Sequence, residues 1–356
     1  MKLSSFTFIV TDDCNFYCEY CPQKKEKKFI SVDLIKRAID FFYPLMENNA
    51  SVGFYGGEPL LCFNAIREAV IYFKKKNFPA KPVDFSITTN GSLLNEEVLE
   101  FLNQNRFSVI LSFDGFAHNI SRKKDDFNSI VDLINNIRKC SQIELETNSV
   151  FTPGTVRYLA ESIHFIIELG VKKIRYVLST IEKWNEEALI EFESELEKVV
   201  NIIVTYYKKN GSIPVSNFKK KTPEKGLFTC TAGKDRMAIT PDGKIWGCYQ
   251  FHEYFKGKEK MNEYSKYFFG DLDYFIDHYK TIYPEILPNY ADLRIDNFST
   301  GKTYCFLCGD IEYCEVCPVY TAHSNSILGK IPAWVCKINK IKKKMKKDFL
   351  RKIQEK

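Results

Sequence analysis

Apolar and polar residues alternate along the first half of the chain in blocks that predict strands and helices in turn. Apolar runs predict strands near residues 5–10, 51–55, 83–88, 107–113, 142–151 and 173–178. Apolar residues at steps of three and four predict helices near 32–46, 63–76, 95–104, 126–139, 155–169 and 185–208. Six such units in series imply an α/β fold with a parallel sheet, closed or nearly closed like a partial (β/α)6 barrel. Six units instead of eight leave an open side, which suits a large substrate.

The pattern changes after the last of these units, so we assign residues 1–208 to a first domain. Residues 209–229 are rich in turn formers and predict a linker. Residues 230–336 have poor periodicity and seven cysteines, and we expect this small domain to owe its fold to metal more than to a hydrophobic core. Residues 337–356 predict an amphipathic helix whose apolar stripe is Ile338, Ile341, Met345, Phe349 and Ile353.

Composition narrows the class of protein. The 356 residues are 45% hydrophobic and 27% charged, which is typical of a soluble globular protein. The opening apolar run of five residues is too short for a signal peptide, and no run approaches a membrane span. Twelve cysteines without an export signal favour metal ligation in a reducing cytoplasm over disulfides.

The net charge of +6 is concentrated at the C-terminus. Ten Lys and Arg residues stand against Asp348 and Glu355 over residues 337–356, which gives this segment +8 and the remainder −2. A solvated helix face is one interpretation of this tail, and a dock for an acidic peptide segment is another. Nucleic-acid binding is disfavoured because there is no basic excess elsewhere.

Three cysteines follow the first predicted strand at short intervals. Cys14, Cys18 and Cys21 form a C-x₃-C-x₂-C motif. Three thiolates can hold three irons of a [4Fe–4S] cluster and leave the fourth iron open to a substrate or cofactor. A zinc or structural site with a fourth ligand from elsewhere is the alternative. The ends of parallel strands carry the chemistry in such folds, and the motif lies there.

Polar or glycine-rich motifs follow the next three strands. Tyr55-Gly-Gly-Glu-Pro59 allows close backbone approach and offers the Glu58 carboxylate to a cation, although a tight turn with a surface Glu would look the same. Thr88-Thr89-Asn90-Gly91 follows the third strand, where a helix-entry turn is the alternative. Ser112-Phe113-Asp114-Gly115 ends the fourth strand, and Asp114 could equally cap the next turn.

A second group of cysteines is still more specific in its spacing. Cys230 and Cys248 flank Thr240-Pro-Asp-Gly-Lys244, a hairpin turn that would bring the two thiols together. The series then continues with Cys305, Cys308, Cys314, Cys317 and Cys336. Seven thiols are too many for one cluster and fit two, with a pair of zinc ribbons as the alternative. Cys62 and Cys140 stand outside these sets and we expect them to be small buried residues.

From Phe6 to Cys336 the chain resembles radical S-adenosylmethionine (SAM) enzymes with a C-terminal SPASM domain. The resemblance implies a SAM-binding cluster on the first three cysteines and two auxiliary [4Fe–4S] clusters. The first auxiliary cluster would be held by Cys230, Cys248 and Cys317, and the second by Cys305, Cys308, Cys314 and Cys336. The residues implied in SAM binding are Tyr20, Gly56, Gly57, Glu58, Pro59, Thr88, Asn90 and Ser112.

Two departures from the family pattern matter. Cys314 and Cys317 are separated by two residues where the family usually has three, and no cysteine precedes Cys230 as it does in some members. The first auxiliary cluster would then have an open iron that can take a substrate thiolate, unless a non-cysteine ligand completes it.

The resemblance implies that a 5′-deoxyadenosyl radical abstracts hydrogen from a ribosomally made peptide, and we expect an intrapeptide thioether crosslink to follow. The alternatives are formylglycine formation in a sulfatase, carbon–carbon crosslinking or epimerisation of a peptide, and a non-catalytic iron–sulfur electron-transfer protein. The expected partners are a precursor peptide, an electron donor such as flavodoxin or ferredoxin, and a separate leader-binding protein if the barrel and tail do not hold the precursor. The five histidines are scattered and we expect them to be structural or exposed.

Overall fold

A single nine-stranded sheet organises the molecule. The computed structural model describes residues 1–76, 82–124, 126–219, 227–301, 303–325 and 327–354. Its strands are β1 (Leu3–Thr11), β2 (Met46–Gly56), β3 (Val83–Thr89), β4 (Ser108–Ser112), β5 (Glu144–Phe151), β6 (Ile174–Leu178), β7 (Arg236–Ile239), β8 (Lys244–Trp246) and β9 (Phe268–Asp271), with a small hairpin of β10 (Ser299–Thr300) and β11 (Thr303–Tyr304). The sheet order is β6-β5-β4-β3-β2-β1-β7-β8-β9, and β1 to β6 run parallel.

Helices connect and cover these strands. They are α1 (Val32–Phe42), α2 (Phe63–Lys75), α3 (Glu96–Gln104), α4 (His118–Arg122), α5 (Phe127–Ile137), α6 (Leu159–Glu168), α7 (Glu186–Asn210), α8 (Tyr249–Phe255), α9 (Asn262–Tyr267), α10 (Leu272–Ala291), α11 (Pro318–Asn325) and α12 (Ala333–Gln354). Side chains of Ser31, Asn95 and Asn185 cap α1, α3 and α7 by accepting backbone N–H groups. Each predicted strand and helix of residues 1–208 overlaps an observed element, so the predicted parallel α/β fold with an open side is confirmed.

The two faces of the parallel sheet differ in chemistry. Thr7, Gly53, Ser86 and Ser108 are register neighbours across four strands, and all four are partly buried. Residues one position away, such as Phe54, are fully buried against the helices. The face that carries these four residues is therefore small and polar, while the face that packs against the helices is apolar.

The segment from residue 230 to 336 extends this sheet. Strand β7 pairs in parallel with β1, and β7 and β8 form the hairpin predicted around Pro241. Trp246, Phe255 and Phe269 are fully buried in the core that covers β1 and β2. This core was hidden in the sequence because its aromatic residues are spaced irregularly and give no periodic signal, and the expected dependence of the fold on metal stays a prediction.

The C-terminal tail forms the predicted helix, α12, which packs against α7. Ile338, Met345 and Phe349 are buried, and Ile341 and Ile353 pack against the same core. Part of the predicted linker, residues 220–226, lies outside the described residues, and Val215 and Phe218 just before it are buried. Among the helices that the structure describes, none has the length and apolarity to cross a bilayer.

Candidate active site

The first cysteine loop and the glycine-rich loop after β2 fit closely together. Backbone N–H groups of Gly57 and Glu58 donate to the carbonyl oxygens of Thr11 (2.9 Å) and Asp13 (2.8 Å). A β-carbon on Gly56 would lie 2.1 Å from the Thr11 oxygen, and one on Gly57 would lie 2.0 Å from the Asp13 oxygen. Only glycine fits at both positions, so this motif fixes the loop that carries the cysteines.

Cys14, Cys18 and Cys21 are grouped at this edge of the sheet. Each thiol lies within electrostatic range of at least one other in the group, and all three are partly buried. Burial, followed by neighbouring acidic groups, raises the pKa of Cys21 to about 11. A metal that takes these sulfurs as thiolates must therefore displace their protons.

Glu58 is completely buried and faces the loop after β3. Its carboxylate accepts hydrogen bonds from the Thr89 hydroxyl (2.7 Å) and from the backbone N–H groups of Asn90 (2.7 Å) and Leu60 (3.1 Å). Burial is the main cause that raises its pKa to about 7. In this conformation the carboxylate holds the loop that ends in Asn90, and the expected role of Glu58 in SAM binding stays a prediction.

Other residues implied in SAM binding lie at the carboxyl ends of neighbouring strands. Asn90 donates to the Asn15 side chain (2.9 Å) and approaches the Cys14 sulfur (4.0 Å). Ser112 at the end of β4 pairs in register with Asn148, whose buried Oδ1 has no hydrogen-bond partner. An unsatisfied acceptor beside Ser112 favours a polar ligand at this edge of the sheet. Thr88 is partly buried on β3, and Pro59 is buried directly after Glu58.

Tyr20 belongs to a buried network that involves Asp114 and Arg122. The Tyr20 hydroxyl donates to Asp114 Oδ2 (2.9 Å), and the Arg122 guanidinium binds both oxygens of that carboxylate (3.0 and 3.1 Å). Arg122 also approaches the Cys18 sulfur (3.9 Å). Asp114 therefore does more than cap a turn: it fixes a cation beside the first cysteine group.

The second cysteine group consists of Cys230, Cys248 and Cys317. Cys248 lies within electrostatic range of Cys317 and Cys230. Burial raises the pKa of Cys248 to about 12. The backbone N–H of Tyr320 donates to the Cys317 sulfur (3.4 Å), a contact that would persist to a thiolate. These three thiols are the set that the family resemblance implied for the first auxiliary cluster.

The third group contains the remaining four cysteines of the series. Cys314 lies within electrostatic range of Cys336, Cys305 and Cys308, and burial raises its pKa to about 12. The Asn339 amide of α12 donates to its sulfur (3.7 Å). Cys308 is exposed, so this group reaches the surface. Of the two cysteines outside these groups, Cys62 is buried as expected, whereas Cys140 is only partly buried.

The spacing of these thiols bears on which metal they suit. Within the residues described, no three His, Cys, Asp or Glu side chains meet as a site for a single ion. A [4Fe–4S] cluster distributes its thiolates over separate irons instead of gathering them around one ion. The thiol-rich, carboxylate-poor donor sets fit iron–sulfur clusters, and thiolates also suit zinc.

A carboxyl group that the sequence reasoning missed lies between the first and second cysteine groups. Gln23 donates to Glu253 Oε1 (2.5 Å) and to the Tyr55 hydroxyl (3.4 Å), and the Tyr55 and Tyr249 rings are 4.2 Å apart. The charge of Glu253 reaches both Cys21 and Cys317. Burial raises its pKa to about 7. Its position five residues after Cys248 is the only sequence signal that pointed to it.

A second missed feature joins α8 to the first cysteine loop. Buried Asp12 accepts from Lys256 Nζ (2.8 Å) and contacts His252 Nε2 (3.1 Å). Burial alone would raise the pKa of Asp12, but the hydrogen bonds and charges of His252 and Lys256 outweigh it and lower the pKa. This ion-pair network holds the helix that follows Cys248 against the loop that carries Cys14.

The histidines have structural environments, as expected. His118 is buried beside Asp126 (2.8 Å), and His252 belongs to the Asp12 network. His164 is exposed.

Comparisons with known proteins show which family and which proteins this chain resembles. The radical SAM superfamily model matches residues 8–166. The radical SAM cyclopropyl synthase TigE of Paramaledivibacter caminithermalis is 25% identical over 75% of this chain, which spans 63% of that protein's length. A cysteine-type anaerobic sulfatase-maturating enzyme of Clostridium novyi is 25% identical over 75% of this chain and 79% of that protein.

A solved structure shares the fold over almost the whole chain. Native anSMEcpe with bound AdoMet and Cp18Cys peptide superposes with a TM-score of 0.76 and 17% identity, covering 98% of each chain. The parallel sheet, the cysteine loop after its first strand and the match over residues 8–166 agree with one another. The chain contains a radical SAM domain and is an enzyme of the radical SAM type.

Proposed function

We propose that this enzyme matures a ribosomally made peptide and forms an intrapeptide thioether crosslink in it. The observation that carries the proposal is the place of Glu253 between two groups of three thiols each, the second of which is the one proposed to bind a substrate thiolate. A three-thiol group leaves room for a substrate thiolate, and a carboxyl group beside it can receive the thiol proton.

The names of similar proteins support a peptide as the substrate class. One relative is a cyclopropyl synthase, another matures sulfatases, and the superposed structure holds a peptide. The open side of the sheet and its small polar face would admit an extended chain here. We propose the same substrate class for this enzyme.

The cysteine groups would hold three [4Fe–4S] clusters, two of them in a SPASM-type domain. Cys14, Cys18 and Cys21 would hold the first, and the Gly56-Gly57 loop, Asn90 and Ser112 would surround SAM beside it. Bound SAM supplies the 5′-deoxyadenosyl radical that takes a hydrogen atom from the peptide. All twelve cysteines are free thiols, which supports a cytoplasmic location.

The chain's own residues would prepare the peptide for coupling. Gln23 and Tyr55 orient the Glu253 carboxylate, which accepts the thiol proton. The peptide would lose two hydrogens in all, one as a hydrogen atom and one as the thiol proton that Glu253 accepts, and a cluster held by Cys230, Cys248 and Cys317 would supply the acceptor for the remaining electron. The Asp114–Arg122 pair holds Tyr20 and the cysteine loop in place throughout.

Formylglycine formation is the second candidate, because sulfatase-maturating enzymes recur among the similar proteins and structures. Its product is an aldehyde and not a crosslink, so the two activities are separable by chemistry.

The test uses the enzyme with all clusters reconstituted, SAM, dithionite and a candidate cysteine-bearing precursor peptide without oxygen. The proposal predicts a peptide that is lighter by two hydrogens and has one fewer thiol open to iodoacetamide. A Cys→Ser version of the same peptide is the control and should not crosslink. A hydrazide-reactive product would favour formylglycine, and SAM cleavage with unchanged peptide mass would reject both.

A further inference from the structure

A lysine-rich surface surrounds the exposed part of the first cysteine loop. Tyr17, between Cys14 and Cys18, is 74% exposed, and Lys25 Nζ lies 3.3 Å above the centre of its ring. The same Lys25 amine donates to the Cys14 carbonyl oxygen (3.4 Å). The positive charge of Lys25 therefore lies next to the backbone that carries the first cysteine group.

The end of α4 adds two more cations to this surface. The Glu19 N–H donates to the Ser121 carbonyl oxygen (2.9 Å), which holds α4 against the cysteine loop. Lys123 and Lys124 follow α4 directly, both are exposed, and Lys124 Nζ lies 5.8 Å from the ring centre of Phe16.

A third contribution comes from the turn after α8. Lys258 is near enough to Lys24 that burial and the charge of Lys24 together lower its pKa. Lys24 itself is exposed and donates to the Lys256 carbonyl oxygen (3.3 Å). We call the five lysines on or next to the first cysteine loop the lysine surface: Lys24, Lys25, Lys123, Lys124 and Lys258.

Among the residues that the structure describes, no carboxylate pairs with the lysine surface. Across the described ranges, none of its five amines has a carboxylate at ion-pair distance. In contrast, α12 lysines such as Lys337 and Lys344 bind Glu186 and Glu193 on α7. An unpaired basic surface beside an exposed aromatic ring has the chemistry of a docking site for an acidic partner.

We propose that the lysine surface docks a small acidic one-electron carrier protein of the flavodoxin class, which reduces the cluster held by Cys14, Cys18 and Cys21. The inference rests on the proposed function, since the radical SAM reaction consumes an electron at this cluster. The loop around Tyr17 is the exposed segment of the chain that adjoins these cysteines. From a carrier protein bound at this loop, an electron would have a short path to the cluster. Long-range electrostatic attraction would also speed the association of the two proteins.

The experiment measures how fast flavodoxin hydroquinone reduces the reconstituted enzyme, by stopped-flow absorbance without oxygen. One electron leaves the hydroquinone, giving the semiquinone and a proton, and enters the oxidised cluster. The charge-reversal variant is K24E/K124E, and the matched control is K209E/K280E, which reverses two exposed lysines on α7 and α10. Dithionite reduction of each variant reports whether its clusters are intact.

We expect K24E/K124E to lower the second-order rate constant about tenfold or more, and added salt to slow the unchanged enzyme while affecting the variant little. K209E/K280E and all dithionite rates should stay as in the unchanged enzyme. The proposal is overturned if K24E/K124E keeps the normal flavodoxin rate, or if it loses only affinity for a precursor peptide. If instead the F306S/L307S variant loses the flavodoxin reduction rate, docking occurs at the exposed residues beside Cys308. That result would also overturn the proposal. Failure of peptide modification with normal flavodoxin reduction would count against the proposed function alone.

Discussion

Glu253 and Glu58 are two carboxyl groups with the same raised pKa, about 7, and different surroundings. Burial is the leading cause for both. Glu58 is closed off among three neutral donors, whereas Glu253 is only partly buried and lies between two thiol groups. The first is therefore suited to holding a loop and the second to exchanging a proton with a ligand.

Substitution Glu253→Gln should lower crosslinked product about 100-fold while 5′-deoxyadenosine formation continues, because the amide cannot accept the thiol proton. Product formation by the unchanged enzyme should rise as pH passes through about 7, where Glu253 ionises. The variant should stay low and flat over the same range. Mass analysis of peptide and nucleoside across pH checks both, with exposed Glu259→Gln as the control. Equal loss of both products would contradict a role confined to the peptide.

Substitution Glu58→Gln should flatten the pH dependence of stability. The folded pKa lies above the usual value of 4.5, so the contribution of this group is complete below pH 4.5 and is lost as pH rises through about 7. That loss is about 3 kcal/mol of unfolding free energy for the unchanged chain. Denaturant unfolding of the protein without cofactors at several pH values measures it. The unfolding free energy of the variant should be lower at acidic pH, because a hydrogen-bond acceptor is lost. If it then falls with pH as steeply as in the unchanged chain, the raised pKa does not belong to Glu58.

At the scale of elements, α8 connects two chemical centres. It begins directly after Cys248, carries Glu253, and is held to the first cysteine loop through Asp12, His252 and Lys256. A shift of α8 would therefore move the Glu253 carboxyl group and the second cysteine group together.

Substitution Lys256→Met should destabilise the fold by about 3 kcal/mol, because it removes one of the two cationic partners of buried Asp12. The Asp12→Asn change should recover part of that loss in the double variant. Urea unfolding measures each variant, and exposed Lys260→Met is the control. Full stability of Lys256→Met would show that His252 alone suffices.

Substitution Phe349→Ala should lower the unfolding free energy by about 3 kcal/mol, since this residue is fully buried between α12 and α7. Ile190→Ala on α7, where the side chain is 69% exposed, should change it by less than about 0.5 kcal/mol. Thermal unfolding followed by circular dichroism compares the two, and equal effects would mean that α12 is not part of the core.

The elements differed in how far the sequence predicted them. Strands such as β4 and helices such as α7 are long or periodic enough to be recognised from their apolar residues. Strands β7 to β9 have three or four residues each, too few to show a period. The Tyr20–Asp114 hydrogen bond joins residues 94 positions apart, a contact that no local pattern contains.

At the scale of the whole molecule, one continuous sheet joins the segments that carry the first cysteine group and the Cys230–Cys248 pair, whereas Cys305 follows the separate β10–β11 hairpin and Cys336 lies on α12. Strand β7 continues the parallel sheet beside β1, so the segment with the later cysteines is built onto the first domain. Spacing predicted the first group, the family resemblance implied the membership of the other two, and the thiols of each group lie within electrostatic range of one another. Glu253 could not be predicted, because its role depends on where the sheet brings α8.

Removal of the second cysteine group should separate SAM cleavage from peptide chemistry. The variant Cys230→Ala/Cys248→Ala/Cys317→Ala should retain about two thirds of the iron and still form 5′-deoxyadenosine, because the other two groups are intact. Crosslinked peptide should be absent. Iron analysis and product mass test this together, and retained crosslinking would show that this group does not bind the substrate thiolate.

The most direct test of the central claim follows one hydrogen and one thiol in the same reaction. A cysteine-bearing precursor peptide deuterated on carbon is incubated with the reconstituted enzyme, SAM and reductant without oxygen. Thioether formation predicts deuterium in 5′-deoxyadenosine together with the loss of one alkylatable thiol from the peptide. Deuterium transfer that leaves every thiol free to alkylate would contradict it.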